Sequence, residues 1–276
     1  IGTNHTPTSE FIHYSPIQTV WLEKASVAYT TWFYNKCFFV SSPAQAIIDE
    51  MRTYGFSRPG LPMSNPLHLS TFKPLLQQKP FLKKDYGFSN FTLLYAGRVA
   101  AEKRVDMLLK VVGALKEKVD IDVAIIGRGQ QENELRQLSK TLGIENRVHF
   151  LGFVKEEEQM NRIYNACDAF VMMSTAETQS IVTMHAMACR LPVLVARSWG
   201  LKEYVEPERG ILIEPGNLTE LTEKVLWLYE NREAGLALAK EGERYVTRFS
   251  PEEVARKWET VYEKSITGEV PQLDSR

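Results

Sequence analysis

The stretch FTLLYAGRVAAEKRVDMLLKVVGALKEKVDIDVAIIGRG, residues 91–129, decides the fold class. It opens with an apolar run at 91–97, continues with an amphipathic segment at 102–118 and returns to an apolar run at 122–127. Continuous apolar runs indicate strands that are buried on both faces, and the amphipathic segment indicates a helix that covers them. The pattern therefore predicts a strand–helix–strand unit of a parallel sheet.

The same alternation continues along most of the chain. Apolar runs predict further strands at residues 147–152, 168–173, 192–196 and 210–214. Amphipathic segments predict helices at residues 130–143, 155–166, 180–190 and 218–231. Alternating strands and helices place the chain in the α/β class, with a Rossmann-like parallel sheet. In such a sheet, ligands bind at the carboxyl ends of the strands.

The segment before residue 91 is less regular. A helix is predicted over residues 17–36, a short buried strand over 37–40 and a second helix over 44–55. Ser41-Ser42-Pro43 supplies a cap for that second helix, followed by proline at its first position. Residues 55–74 are rich in Pro, Ser and Gly and are predicted to be a linker.

These elements divide the chain into three parts. A doubly wound domain needs roughly 100–200 residues, so residues 1–75 are expected to be the remnant of a larger N-terminal domain plus the linker, in a chain that lacks its start. Residues 76–249 form the second predicted domain. Within residues 250–276, a capping box at Ser250-Pro251-Glu252-Glu253 opens a crossing helix that is followed by an unstructured tail.

Charge and cysteine content exclude several classes of protein. The 276 residues include 33 basic and 34 acidic side chains, a balance that argues against a nucleic-acid-binding protein. Cys37, Cys167 and Cys189 show no CxxC spacing, which favours a reducing, cytoplasmic setting. The apolar run at 37–40 is far too short to cross a bilayer, and no transmembrane segment is predicted.

Two polar clusters follow predicted strands. The first, Gly97-Arg98-Val99-Ala100-Ala101-Glu102-Lys103, places two cations after a glycine that permits a close turn, so it could clamp a diphosphate. The second, Ser174-Thr175-Ala176-Glu177-Thr178-Gln179-Ser180, presents backbone N–H groups before a helix and a carboxylate that could accept hydrogen bonds from a sugar. Taken singly, each is also compatible with an ordinary solvated helix start.

Together with neighbouring motifs, these clusters form an ordered series. It runs from GRVAAEK through IIGRGQQENEL and VHFLGFV to AETQSIVTMHAMACRLPVL. The series resembles the C-terminal domain of retaining GT-B glycosyltransferases of glycosyltransferase family 4. SNPLHLSTFKP resembles the linker of that family, and NHTPTSEFIHYSP resembles the loop of its N-terminal, acceptor-side domain that closes on the donor sugar.

The resemblance implies the transfer of a sugar from a UDP- or GDP-linked donor to a hydroxyl acceptor, with retention and with no metal or other cofactor. Arg98 and Lys103 would neutralise the leaving diphosphate, and His5 and Glu177 would bind the donor sugar. Other implied donor contacts are Gly97, Phe153, Val154, the backbone of Thr178, Gln179, Ser180 and Ile181, and His185.

Three positions depart from the family pattern. His185 stands where the family has the second glutamate of a pair that holds the ribose, and a neutral imidazole offers only one donor and one acceptor. Thr178-Gln179-Ser180 replaces Gly-Phe-Gly, and Arg190 replaces a glycine. A nucleotide-sugar-binding pseudoenzyme or subunit therefore remains an alternative.

Three other interpretations are weaker. Gly127-Arg128-Gly129 resembles a dinucleotide motif of an NAD-linked oxidoreductase, but Glu132 occupies the place of its third glycine. Asp120-Ile121-Asp122 precedes a strand, whereas a metal–diphosphate site would follow one. His13, His68 and His149 have no metal ligands at suitable spacing and are interpreted as structural.

The acceptor is predicted from resemblance alone. Glu177-Thr178-Gln179 and the motif His5-Thr6, Glu10, His13-Tyr14 look like those of diacylglycerol and phosphatidylinositol glycosyltransferases. They favour a membrane lipid over a soluble glycan, with peripheral contact at the cytoplasmic face of a membrane. The aromatic residues Trp21, Trp32, Phe33 and Tyr34 lie at helical spacing and are expected to be core residues rather than membrane anchors.

Overall fold

The computed structural model describes residues 1–5 and 20–271; the predicted site residues Thr6, Glu10, His13 and Tyr14 lie outside them. In that part of the chain the strands are β1 (Gly2–Thr3), β2 (Val40–Ser42), β3 (Gly60–Pro62), β4 (Phe91–Ala96), β5 (Ile121–Ile126), β6 (Val148–Gly152), β7 (Ala169–Met172), β8 (Val193–Ala196) and β9 (Ile211–Ile213). The helices are α1 (Val20–Tyr34), α2 (Gln45–Thr53), α3 (Lys79–Asp85), α4 (Asp106–Leu115), α5 (Glu132–Thr141), α6 (Glu157–Ala166), α7 (Ile181–Ala188), α8 (Leu201–Tyr204), α9 (Leu218–Glu230), α10 (Arg232–Val246) and α11 (Pro251–Ile266). None of these helices is long and apolar enough to cross a membrane.

A six-stranded sheet with the order β6-β5-β4-β7-β8-β9 forms the centre of the larger unit, and all of its strand pairs are parallel. Every residue of β4, β5, β7 and β8 is buried, so helices cover both faces. This confirms the predicted α/β class. After β4 the chain adds β5 and β6 on one side of that strand. It then crosses to the other side of β4, where it adds β7, β8 and β9. The reversal opens a crevice at the carboxyl ends of β4 and β7, where doubly wound sheets bind ligands.

A three-stranded parallel sheet, β1-β2-β3, forms the smaller unit. Ile47, Ile48 and Met51 of α2 pack on it, and Val261 of α11 packs against Phe39 from the other end of the chain. Strand β3 lies inside the segment predicted to be a linker. Its Pro62 stands in an edge strand, where a missing N–H is tolerated, so composition alone hid this strand.

The junction before α2 differs from the prediction. The strand begins at Val40 instead of ending there, and Ser41 and Ser42 belong to it instead of capping the helix. Ala44 is the N-cap residue, and its side chain makes no capping hydrogen bond. The capping group is remote: the Glu203 carboxylate of α8 accepts the N–H groups of Gln45 and Ala46 at 2.8 and 2.7 Å. This contact joins the two units.

We expect Glu203→Ala to lower the free energy of unfolding by about 2 kcal/mol, because it leaves two helix N–H groups without their charged acceptor. Chemical denaturation of the variant and the parent measures the difference. Glu206→Ala is the matched control, since the Glu206 side chain is 52% exposed and its one salt bridge among the described residues is to Arg209. Equal stabilities of the two variants would contradict the capping role.

The aromatic residues of α1 correct a second expectation. Trp21, Trp32 and Phe33 are 77%, 56% and 49% exposed, so they are surface residues rather than core. Tyr34 is half-buried and donates a hydrogen bond to the carbonyl oxygen of Thr3. Helical spacing showed that the tryptophans share a face, but it did not determine which way that face points.

The C-terminal region contains one helix that the sequence did not predict. Helix α10 spans 15 residues and carries Gly235 and Gly242, whose low helix propensity obscured it. Both glycines permit close packing: a Cβ at Gly235 would lie 2.8 Å from Leu228 Cδ2. The next helix, α11, begins as predicted, with the Ser250 hydroxyl accepting the N–H of Glu253 at 3.3 Å.

Candidate functional site

A cavity of about 310 Å³ opens at the carboxyl ends of β4 and β7. Three segments line it: the turn after β4, the loop from β7 into α7, and Asn65 before β4. The strand reversal brings together eight of the residues predicted to bind the donor. These are Gly97, Arg98, Lys103, Glu177, Thr178, Gln179 and Ser180, together with Ile181 at the start of α7.

The turn after β4 is shaped by a tyrosine beneath it. Tyr95 is fully buried, and its hydroxyl donates a 2.6 Å hydrogen bond to the carbonyl oxygen of Arg98. Burial raises the pKa of Tyr95, so the hydroxyl keeps its proton for this bond. Gly97 has φ of +148°, and a Cβ there would lie 3.0 Å from the Tyr95 oxygen. The glycine is therefore required for the close turn.

Lys103 and Glu177 form the electrostatic centre of the cavity. The Lys103 ammonium lies 2.5 Å from a Glu177 carboxylate oxygen, and their side chains are only 13% and 14% exposed. Lys103 also donates to the Ser174 hydroxyl at 3.4 Å. By sequence alone this cluster could also be an ordinary solvated helix start, and the 13% exposure of Lys103 does not fit that alternative. The Lys103 ammonium, which pairs with a carboxylate here, could instead pair with the phosphate oxygens of a ligand.

Arg98 lies at the cavity rim. Its side chain is 49% exposed, and its guanidinium donates to the Glu102 carboxylate at 3.0 Å. The predicted helix over residues 102–118 starts only at Asp106, because residues 101–103 form a 3₁₀ turn and Arg104 adopts a left-handed conformation. Lys103 thus lies on a tight turn, which directs its side chain towards the loop after β7.

That loop brings unsatisfied backbone donors to the cavity. Helix α7 begins at Ile181, so the N–H groups of Ile181 and Val182 have no partner within the helix. Among the described residues, no side chain accepts a hydrogen bond from them either. The N-terminus of a helix favours a negative charge. Together with the Lys103 ammonium it presents positive charge to the cavity.

Ser180 enters α7 with φ of +54°, a left-handed conformation that is costly for any residue except glycine. Its hydroxyl bonds to that of Thr183 at 2.8 Å. We expect Ser180→Val to be less stable than Ser180→Gly by about 2 kcal/mol, because valine keeps the strain and removes the same hydrogen bond. Denaturant unfolding of the two variants tests this. A valine variant as stable as the glycine variant would show that the loop relaxes freely.

The side chain of Gln179 is buried and engaged by Asn65. It is 2% exposed, and its carbonyl oxygen accepts the backbone and side-chain N–H groups of Asn65 at 2.8 and 2.7 Å. Its amide nitrogen donates to the carbonyl oxygen of Asn65. Only the backbone of Gln179 can therefore face a ligand. The side chain fixes the linker segment against the loop, a role that the sequence did not indicate.

Four predicted donor-binding residues are not among the described residues that line this cavity: His5, Phe153, Val154 and His185. His5 is exposed after β1 in the smaller unit. Phe153, after β6, is 71% exposed and free to stack on a flat ring, whereas Val154 is buried. Their contacts with a donor stay predictions.

His185 has a packing role. Its ring stacks on the fully buried Phe72, with centroids 3.6 Å apart and planes 7° from parallel. Burial lowers the pKa of His185 to about 4, so the ring is neutral. Its Nδ1 is buried and makes no hydrogen bond among the described residues. The imidazole is thus built into a stack on Phe72 and does not line the cavity.

The competing motifs have structural explanations. A Cβ at Gly127 would lie 1.8 Å from the Gly97 carbonyl oxygen, and one at Gly129 would lie 2.1 Å from the Val99 carbonyl oxygen. These glycines therefore let two loops pack backbone to backbone. Asp122 is 3% exposed in β5 and accepts hydrogen bonds from Asn90. It lies at the amino ends of the strands, whereas the cavity lies at their carboxyl ends.

The two other histidines of the described chain also have protein partners. His68 pairs with Glu157 at 2.8 Å, and His149 lies against Phe88. No group of three or more His, Cys, Asp or Glu side chains that could hold a metal occurs among the described residues.

Comparison with known proteins identifies relatives of this architecture. The chain is 27% identical over 185 residues to N-acetyl-alpha-D-glucosaminyl L-malate synthase of Bacillus anthracis, a match over 66% of this chain and 48% of that protein. It is 26% identical over 274 residues to alpha-monoglucosyldiacylglycerol synthase of Acholeplasma laidlawii, a match over 95% of this chain and 68% of that protein. The chain thus spans about half the length of the first of these relatives.

The crystal structure of Anabaena HepE in complex with UDP-glucose superimposes with a TM-score of 0.83 at 23% identity, over 95% of this chain and 71% of that one. The likeness shows that the fold is that of GT-B glycosyltransferases. The profile of the family described as "Glycosyl transferases group 1" matches residues 78–245, which is more than half of the sequence and contains nearly the whole cavity. The chain belongs to the group 1 glycosyltransferases.

Proposed function

We propose that this chain binds a nucleoside-diphosphate sugar, UDP- or GDP-linked, and takes part in transferring the sugar to a hydroxyl acceptor with retention of configuration. The observation that carries the proposal is the Lys103–Glu177 ion pair, which lies before the N-terminus of α7 at the strand reversal. The ion pair and the start of α7 together place a cation, a carboxylate and backbone N–H donors in one small cavity. A diphosphate linked to a sugar requires the same three kinds of partner.

The proposed roles follow from the chemistry of transfer. Negative charge grows on the diphosphate as its bond to the sugar breaks. Lys103, Arg98 and the N–H groups from Thr178 to Ile181 stabilise that charge, without a metal ion or other cofactor. Glu177 accepts hydrogen bonds from the sugar hydroxyls once the diphosphate has taken its place beside Lys103. His5 approaches the sugar from the smaller unit.

Calorimetric titration with UDP, GDP and NAD tests the donor site. We expect one nucleoside diphosphate to bind and NAD not to bind. Arg98→Gln should weaken that binding about tenfold, as for the loss of one charge-assisted hydrogen bond. Arg136→Gln is the matched control, because Arg136 lies on α5 and pairs with Glu132. Binding of NAD without binding of either nucleoside diphosphate would contradict the proposal and favour an NAD-linked oxidoreductase.

The acceptor that we propose is a membrane lipid or lipid-linked hydroxyl, used at the cytoplasmic face of a membrane. Similarity to the diacylglycerol-modifying relative supports it. The exposed Trp21 and Trp32, with the exposed Lys24 on the same helix, add physical support, since tryptophan and lysine favour the membrane interface. Because Trp21 and Trp32 lie at the surface and not in the core, they are available for contact with a membrane.

Flotation with vesicles that contain anionic lipid, paired with transfer to diacylglycerol and to soluble sugars, tests the acceptor. We expect flotation that is reduced by Trp21→Ser together with Trp32→Ser, and transfer to the lipid. Phe81→Ser is the control, because Phe81 is 72% exposed on α3 of the other unit. Transfer to a soluble acceptor without flotation would overturn the lipid proposal and leave the donor site intact.

A second candidate is a pseudoenzyme that binds a nucleotide sugar without transferring it. The neutral, stacked His185 favours this alternative, because it cannot supply the charge of the carboxylate that it replaces. Binding of a nucleoside diphosphate with no turnover of the sugar donor on lipid or soluble acceptors would support it. Turnover with retained anomeric configuration, measured by NMR of the product, would exclude it.

A further inference from the structure

A second cavity, of about 300 Å³, lies at the opposite ends of the strands of the six-stranded sheet. Phe91 begins β4, Asp168 precedes β7 and Pro192 precedes β8, and all three residues line this cavity. Because these strands are parallel, the cavity opens at their amino ends. The donor cavity opens at their carboxyl ends, so the sheet separates the two.

The inner wall of this amino-end cavity is apolar. Phe91, Leu191 and Leu228 are 6%, 3% and 2% exposed. Cys167 and Cys189 complete the wall, and burial raises the pKa of both thiols, so they remain neutral and behave as small apolar groups. An unfilled apolar space forfeits dispersion contacts with its lining. The cavity volume is at the lower end of the range of about 300–1,000 Å³ typical of small-molecule sites.

The mouth of the cavity carries cations. Lys79 and Arg190 are already paired, with Asp168 at 2.9 Å and Glu243 at 2.6 Å. Arg232 differs: its guanidinium lies 3.9 Å over the Phe91 ring, and its Nε donates to the Tyr229 carbonyl oxygen. Within the described chain, Arg232 has no carboxylate partner. The Phe91 ring fixes the fork of the guanidinium over the cavity entrance, where it can bind a carboxylate by two N–H groups.

We propose that the amino-end cavity binds a medium-chain carboxylate, with the alkyl chain against the buried apolar wall and the carboxylate on Arg232. Charge complementarity selects this ligand over a neutral alcohol of the same length. The site is separate from the proposed donor site, so a ligand here leaves Lys103 and Glu177 uncovered.

Calorimetric titration with octanoate, and with 1-octanol as the neutral probe, tests the proposal on the whole chain. We expect saturable octanoate binding that Arg232→Gln weakens about tenfold, with octanol binding unchanged by the same substitution. Arg244→Gln is the matched control, since Arg244 lies on the same helix, has a side chain that is 72% exposed and does not line the cavity. It should leave octanoate binding intact.

Leu236→Trp locates the site. Leu236 is 52% exposed at the cavity mouth, so a larger side chain is tolerated there and blocks entry. We expect it to abolish octanoate binding while the titration with UDP or GDP stays unchanged. The absence of octanoate binding to the parent protein, or binding that persists in both Arg232→Gln and Leu236→Trp, would overturn the proposal. Neither result bears on the donor site.

Discussion

Replacing Lys103 with alanine is expected to lower the rate of sugar transfer about 100-fold and the free energy of unfolding by about 3 kcal/mol. The first effect removes a cation from the developing charge of the diphosphate. The second arises because the carboxylate of Glu177, whose side chain is 14% exposed, loses the cation that compensates its burial. Transfer kinetics and urea unfolding of the same preparation measure both effects.

The arginine at the rim provides the contrast. Arg98→Ala should also reduce transfer, but it should change stability by less than about 1 kcal/mol, because its pair with Glu102 is exposed to solvent. In the double variant Lys103→Ala with Glu177→Ala, much of the lost stability should return, since no buried charge is left unpaired. Additive losses in stability would mean that the ion pair is not coupled.

Acidification should destabilise the protein through His185. Its pKa is about 4 in the folded chain and about 6.5 when unfolded. Between these pH values the unfolded chain binds a proton at this position and the folded chain does not, so stability falls as pH falls. The difference corresponds to up to about 3 kcal/mol at pH 4. Glu157, which favours the proton, and His68, which opposes it, modify this value.

His185→Phe isolates that contribution. Phenylalanine can stack on Phe72 and does not ionise, so its stability advantage over the parent should grow as pH falls from 6.5 to 4. Denaturant unfolding across this pH range gives the difference. His68→Phe is the control, because the His68 side chain is 58% exposed and pairs with Glu157 instead of stacking on a buried ring. A constant difference between parent and His185→Phe would contradict a buried neutral imidazole.

The strands of the larger sheet were largely predictable, because each is a mostly apolar run and the segments between most of them are amphipathic. The sites at the ends of β4 and β7 followed from the same pattern, since the polar clusters come directly after buried strands. The resemblance to related sequences adds a physical detail. Ser180 and Arg190 stand where the resemblance implies glycines, and both have positive φ, +54° and +58°. Glycine adopts this left-handed conformation most readily.

Contacts between distant segments were not predictable. Glu203 caps a helix that lies more than 150 residues earlier, and Gln179 holds Asn65 across 114 residues of sequence. Nothing at Glu203 or Gln179 marks these partners locally. The orientation of α1 was not predictable for the same reason. The spacing of its aromatic residues shows which of them share a face of the helix, but tertiary packing decides whether that face is buried. The burial of Lys103 likewise depends on Glu177, which another strand supplies.

The positions of the three thiols make chemical labelling of this protein selective. Cys167 and Cys189 are buried in the larger unit, and their raised pKa values keep them as unreactive thiols. Cys37 is half-buried in the smaller unit, beside Gly2. A maleimide fluorophore should therefore attach at Cys37 without the removal of any cysteine. A single dye there would sit on the unit that Glu203 ties to the larger one, and would report optically when the two units move apart.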